Sequence, residues 1–157
     1  MQSNPQHEST DLPLDARLYD QDLSAWAAHN ANLLRAGKFS ELDVDHLIEE
    51  LDDMGKSERR ALESFVQNLL MHLLKWQFQP DKRTTSWRQS IKNSRKSMLK
   101  ILRDNPSLQP LLAQITADEY PDALDNAAAE TSLPESTFPV SCPFSFEQIQ
   151  APEWLPE

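Results

Sequence analysis

Glycine is nearly missing from this chain: Gly37 and Gly55 are the only two in 157 residues. So few glycines exclude a glycine-rich loop that cradles phosphate and argue against a turn-rich all-β fold. Cysteine occurs once, at Cys142, so no disulfide can close within the chain. No apolar run reaches the length of a membrane-spanning helix, and the opening residues MQSNPQHEST hold no apolar signal core. Both absences point to the cytoplasm, with no membrane partner. Cys142 is followed by Pro143 and lies near Phe144 with no basic neighbour, so it reads as a quiet thiol. There is no Gly-x-Ser-x-Gly turn, and no nucleophile, base and orienting group can be assembled into a set. No catalytic residue and no cofactor are assigned.

Positive charge is scarce at one end and missing from the other. Residues 1–53 carry twelve acids and three bases, and residues 104–157 carry ten acids and no base. Residues 82–103 are the reverse, with eight bases and no acid. The net charge of −10 argues against a general nucleic-acid binder, while the middle segment is as basic as many that bind phosphate.

What is present is a helical stripe. Leu47, Leu51, Met54, Leu62, Phe65, Leu69, Leu73 and Trp76 recur at steps of three and four once Glu58 is counted. This spacing predicts one amphipathic helix of about thirty residues, roughly 45 Å long. It also predicts that Glu58 faces the core, where a carboxylate needs a partner or a proton.

Residues 1–17 are polar and read as a flexible arm, with 18–157 expected as a single helical domain. A first helix is expected over 20–36, capped by Asp20 or Asp22 and closed by Gly37 in the left-handed conformation. The long second helix should begin at the N-cap Asp43 and end before Pro80. A third runs from a cap at Thr85 or Ser86 to Arg103, with Trp87, Ile91, Ser94, Met98 and Leu102 as its seam. Asn105-Pro106 stops it and starts a fourth over 106–131, in which Pro121 predicts a kink or break. Residues 133–157 alternate proline with apolar residues and read as an extended strap anchored by Phe138, Phe144, Phe146 and Trp154. A short helix capped by Ser145 is expected within it. The fold class is all-α, a bundle of four main helices with a long central helix and a proline-rich C-terminal strap.

The short link between the second and third helices predicts an antiparallel hairpin. Counting along it places Trp76 by Trp87, His72 by Ile91, and Glu58 by Asn105. Glu58 should there accept from the backbone N–H groups opening the fourth helix, or pair with Arg103. The first helix should bring Trp26 near Met54.

The string HLIEELDDMGKSERR over 46–60 resembles the signature of a bacterial family known only as domain-of-unknown-function family 29. The likeness continues through His72-Leu-Leu-Lys-Trp76, Pro80, Ser86-Trp87-Arg88, Asn105-Pro106-Ser107-Leu108, Phe138-Pro139 and Cys142-Pro143. It starts near Leu18-Tyr19-Asp20 and covers most of the chain. The resemblance implies an all-helical fold, and it implies no activity, cofactor or partner. Pro121 departs from the family's uninterrupted fourth helix.

Three clusters are candidate sites, each with a plainer alternative. Arg88, Lys92, Arg95, Lys96, Lys100 and Arg103 form a basic face suited to phosphates or to an acidic partner. The plainer reading, ranked first, is that the twenty-two acids of the two flanking regions, among them Asp118, Glu119, Asp122, Asp125 and Glu130 of the fourth helix, neutralise it internally. His72, Lys75, Trp76 and Trp87 could wall a small pocket at the hairpin mouth, although a packed hairpin end explains them better. His46, Glu50 and Asp53, joined by Glu49 and by His29, have metal-ligand character, although a solvated acidic face is the favoured account. His72 lies about 39 Å from His46 by helical rise and cannot share an ion with it. The leading expectation is therefore a non-enzymatic binding or interaction module, acting on a protein partner or as a homo-oligomer. A nucleic-acid-associated, antitoxin-like regulator using the basic helix and a metal-dependent enzyme using the His46 face are the alternatives.

Overall fold

In a computed structural model of the chain, residues 14–157 are described, with side chains from Arg17 onward. All but the last four residues of the expected arm lie outside the described residues. Those four open a helix, α1 (Leu14–Gln21). The protein is all-α: α2 (Leu23–Arg35), α3 (Val44–Phe78), α4 (Thr85–Asp104), α5 (Leu112–Thr131) and α6 (Phe146–Gln150) follow, with no strand among the described residues. The four main helices of the sequence reading correspond to α2, α3, α4 and α5.

The chain divides into two compact units, Met1–Met54 and Gly55–Glu157. In the first unit the expected helix over 20–36 is interrupted at Asp22. Its backbone leaves the helical region and its carboxylate accepts from Ala25 N at 2.9 Å, which starts α2 afresh. Gly37 follows α2 with φ of 71°, the left-handed position expected of it. Trp26 is not near Met54 as counted. Its indole N–H donates to Asp43 at 2.9 Å, just ahead of α3, while Met54 is exposed. Asp43 still caps α3, its carbonyl accepting from Leu47 N and its carboxylate from the His46 backbone N–H, and it adds this tertiary bond.

In the second unit α3 and α4 form the expected hairpin. Asn68 donates to Ser94 across it, and the Glu58 carboxylate accepts from the Asn105 side-chain amide at 3.2 Å. Leu62, Val66, Leu69, Leu70, Leu73 and Leu74 of α3 are buried with Ile91, Met98 and Leu102 of α4 and Leu112, Ile115, Ala123 and Ala127 of α5. The stripe thus builds the core from Leu62 onward. Earlier it does not: Leu51, Met54 and Glu58 are exposed. Glu58 keeps its expected neighbour but neither its burial nor its backbone partners.

The fourth helix differs at its start. Residues 106–111 form tight three-residue turns, and the α-helix begins at Leu112. Asn105 makes no side-chain cap there; its Nδ2 donates to Glu58 and to the Ile101 carbonyl. Pro110 lacks an N–H and its ring crowds the carbonyl four residues back, which favours the tighter turn. Pro121 lies inside α5 without ending it, since Tyr120 and Ala123 on either side are buried in the core. Ser132 closes α5 at φ of 57°.

The strap packs on the second unit through Phe138 and Phe144, with Phe78 edge-on to Phe138 and Trp154 edge-on to Phe144. Phe146 is exposed, and Ile149 of α6 takes its expected place in the core. Ser145 and Gln148 form a reciprocal capping box at the start of α6.

Candidate interaction surface

The basic helix α4 owes its orientation to one face. Ile91, Ser94, Met98 and Leu102 recur at helical spacing and are buried, which turns Arg88, Lys92, Lys96, Lys100 and Arg103 outward. Arg95 belongs to the buried set. It is 2% exposed, and its guanidinium donates to strap carbonyls: Ile149 at 2.9 Å, Trp154 at 3.0 Å, Pro152 at 3.2 Å and, at 3.5 Å, Gln148. Arg95 is therefore removed from the docking face and becomes the post on which the strap is hung. Burial lowers its pKa below the ordinary arginine value, against the pull of the Glu153 charge. A position inside the 91, 94, 98, 102 spacing was the signal for this role.

The outward bases are not neutralised by α5. Lys100 and Arg103 pair with Asp104 at the end of their own helix, at 2.8 and 3.3 Å. Among the described residues Lys92 and Lys96 make no ion pair. Glu130 of α5 does pair with a base, but with Lys75 of α3. Internal matching, the plainer reading, is met in part: of the flanking acids Asp104 pairs with Lys100 and Arg103, while among the described residues no acid of α5 pairs with α4. Those acids lie on a different helix, and Glu119 instead accepts from Gln67 of α3.

Two grooves flank the strap where it crosses α4. One, of about 360 Å³, is lined by Lys92, Lys96, Leu99, Lys100, Arg103 and Pro152, with Arg95 and Glu153 also present. The other, of about 290 Å³, runs from Arg88 and Ile91 past Lys92 to Trp154 and Leu155. Leu99, Pro152 and the lysine stems give the first groove an apolar bed beneath a rim of ammonium groups. The strap residues came into the site only through Arg95, which sequence spacing alone does not connect to residues 53 to 59 positions away.

The hairpin mouth also comes together as counted. Lys75 is 5% exposed, holds Glu130 and lies 4.6 Å from the Trp87 ring centre. Arg83 and Arg88 lie over Trp76 at 5.0 and 5.6 Å, and Arg83 also donates to the Trp76 carbonyl. His72 bonds the Asn68 carbonyl through Nδ1 at 2.9 Å, so that nitrogen carries the proton. Burial lowers its pKa, the Asn68 bond opposes this, and the Lys75 charge lowers it further. Both indoles already carry cations of this chain, so these residues make a packed hairpin end instead of open pocket walls.

The third cluster is engaged within the first unit. His46 Nδ1 meets Asp43 at 2.7 Å, the Tyr19 ring stacks on the His46 imidazole at 3.9 Å, and the Tyr19 hydroxyl donates to Glu50 at 2.8 Å. This last bond, with partial burial and the charges of Glu49, Glu50 and Asp53, pushes the Tyr19 pKa up to about 12. His46, Glu50 and Asp53 do not converge: among the described residues no group of three His, Cys, Asp or Glu could hold a metal ion. Shared helical spacing placed them on one face, and Tyr19 and Asp43 drew two of them to other partners.

The family described as "Domain of unknown function DUF29" matches residues 18–155. The chain belongs to the DUF29 family. The match runs from Leu18, beside the Tyr19–His46 stack, to Leu155 in the strap. It thus includes the whole DUF29 basic face and both grooves. No curated protein and no solved structure gave a match. No helix of the described residues is long and apolar enough to cross a membrane.

Proposed function

We propose that this protein is a cytoplasmic, non-enzymatic interaction module that docks an acidic, amphipathic segment of a partner protein between α4 and the C-terminal strap. The observation that carries the reading is the pair of unpaired lysines, Lys92 and Lys96, rimming an apolar-bedded groove. Apolar residues of the segment would lie on Leu99 and Pro152, and its carboxylates would meet Lys92, Lys96, Lys100 and Arg103. Arg95 would position the strap wall without touching the partner.

A protein segment fits better than single-stranded nucleic acid. Strands of that kind are held by bases stacked on open aromatic faces beside a basic track. Here Trp87 carries Lys75, and Phe78 packs on Phe138.

The test is fluorescence anisotropy at low salt with two kinds of probe. One is a labelled helical peptide with leucines on one face and glutamates beside them. The other is labelled single-stranded RNA and DNA. Peptide binding that weakens with salt and disappears in Lys92→Glu plus Lys96→Glu is the expected result. Binding of the oligonucleotides alone, lost in the same variant, would replace this reading by the nucleic-acid one.

A further inference from the structure

We infer that the segment docked between α4 and the strap carries a cationic side chain on its strap-facing flank as well as carboxylates facing α4, and that Glu153 receives that cation. The inference rests on the groove reading above and sharpens the chemistry of its partner.

The two walls of the groove carry opposite charge. Both cavities share Lys92, Arg95, Pro152 and Glu153. In the larger one Lys92 and Lys96 belong to the α4 wall and Glu153 to the strap wall, with Leu99 and Pro152 in the bed. Every one of these residues lies in the unit Gly55–Glu157.

Glu153 is fixed in place by its backbone. Pro152 and Glu153 are the central residues of a turn closed by Trp154 N, which donates to the Ala151 carbonyl at 3.2 Å. Proline sets the backbone of the first central position in such a turn. The carbonyls of the residues before and after Glu153 both accept from Arg95 Nη1, at 3.2 Å from Pro152 and 3.0 Å from Trp154. Trp154 is half-buried and packs edge-on to Phe144. The carboxylate therefore rides on a pinned corner, and little further ordering is needed when it meets a ligand.

Its side chain has no partner of its own. Glu153 is exposed, and among the described residues its carboxylate makes no hydrogen bond and no ion pair. Arg95 does not bond it, since its guanidinium nitrogens are turned to the carbonyls of Gln148, Ile149, Pro152 and Trp154. Lys92 and Lys96 are equally without ion pairs among the described residues. Charges of opposite sign thus line one cavity of about 360 Å³ without meeting. A wholly acidic segment would satisfy the lysines but set its other flank against Glu153. A segment with acids on one flank of its apolar stripe and lysine or arginine on the other satisfies both walls.

The experiment is fluorescence anisotropy of the full chain with two labelled helical peptides of equal length, each with a leucine stripe. One has glutamates on one flank and lysines on the other. The second has glutamates on both. The parent chain should bind the first about fivefold more tightly at low salt, the upper scale of one exposed charge pair, and salt should shrink the preference. Glu153→Gln should remove most of it, and Glu153→Lys should reverse it. Glu135→Gln changes the net charge equally but lines neither groove, so it should keep the preference. The urea midpoint of Glu153→Gln should match the parent's, because the carboxylate makes no bond within the chain. Equal binding of the two peptides by the parent, or a preference that falls no further in Glu153→Gln than in Glu135→Gln, overturns the inference and leaves the groove reading standing. A large loss of stability in Glu153→Gln would assign the carboxylate to Arg95 and also overturn it. No binding of either peptide by the parent chain overturns both readings.

Discussion

Arg95 donates through Nη1 to the backbone carbonyl of Trp154 at 3.0 Å, across 59 residues of chain. One guanidinium bonds several carbonyls of the strap at once, and it does so from inside the apolar seam of α4. Its planar fork of donors is what makes this possible.

Removing those donors should release the strap. Arg95→Met is expected to cost about 2–4 kcal/mol, because inward-turned carbonyls lose their partners. Arg95→Lys should recover little, since a point ammonium cannot span the same carbonyls. Urea midpoints measure the cost, and amide exchange over 146–155 shows whether the strap opens first. A midpoint for Arg95→Met within error of the parent would refute the strap-post role.

Glu58 should matter little to stability. It is exposed and, among the described residues, bonded only to a side-chain amide, so Glu58→Gln is expected to shift stability by less than about 0.5 kcal/mol. A buried carboxylate would behave otherwise, and thermal melts distinguish the two.

The Lys92→Glu plus Lys96→Glu variant should fold as well as the parent. Neither lysine has an ion-pair partner among the described residues, and both are exposed. A change within about 0.5 kcal/mol per site is expected by denaturant titration. A large loss would mean that these bases serve the fold and not a partner.

The first unit should weaken as pH rises. The Asp43 hydrogen bond raises the His46 pKa; slight burial works against this, and the charges of Asp43, Glu49 and Asp20 reinforce it. His46 therefore gains proton affinity on folding. Its contribution is whole below the unfolded value of about 6.5 and fades as pH climbs through the higher folded value. Asp43 runs the other way. Burial alone would raise its pKa, but bonds from Trp26 and His46 and the His46 charge lower it. Its contribution is present above its ordinary value and fades on acidification. NMR titration should give a His46 midpoint above 6.5 that drops in Asp43→Asn. An unshifted midpoint in that variant would show that the pair does not form.

Local pattern made the helices legible. The 3.6-residue period, Gly37 after α2, Pro80 after α3 and Ser145 before α6 each act within a few residues, so they could be read directly. The hairpin count placed Trp76, Glu58 and Asn105 well, because two straight helices joined by a short link share a fixed rise. The reading failed where distant groups competed. Trp26 was counted to Met54 and bonds Asp43 instead. Arg95 looked like part of a charged face and was claimed by carbonyls more than fifty residues on.

By itself, the sequence determined the all-α class, the length of α3 and the basic character of α4, since periodicity and charge order are local properties. Only the tertiary structure decided which part of the α3 stripe is core and which is bare, that the acids of α5 leave Lys92 and Lys96 unpaired, and that the strap forms a wall beside them. Burial and pairing depend on what else comes within a few ångströms, and spacing along one helix does not contain that information.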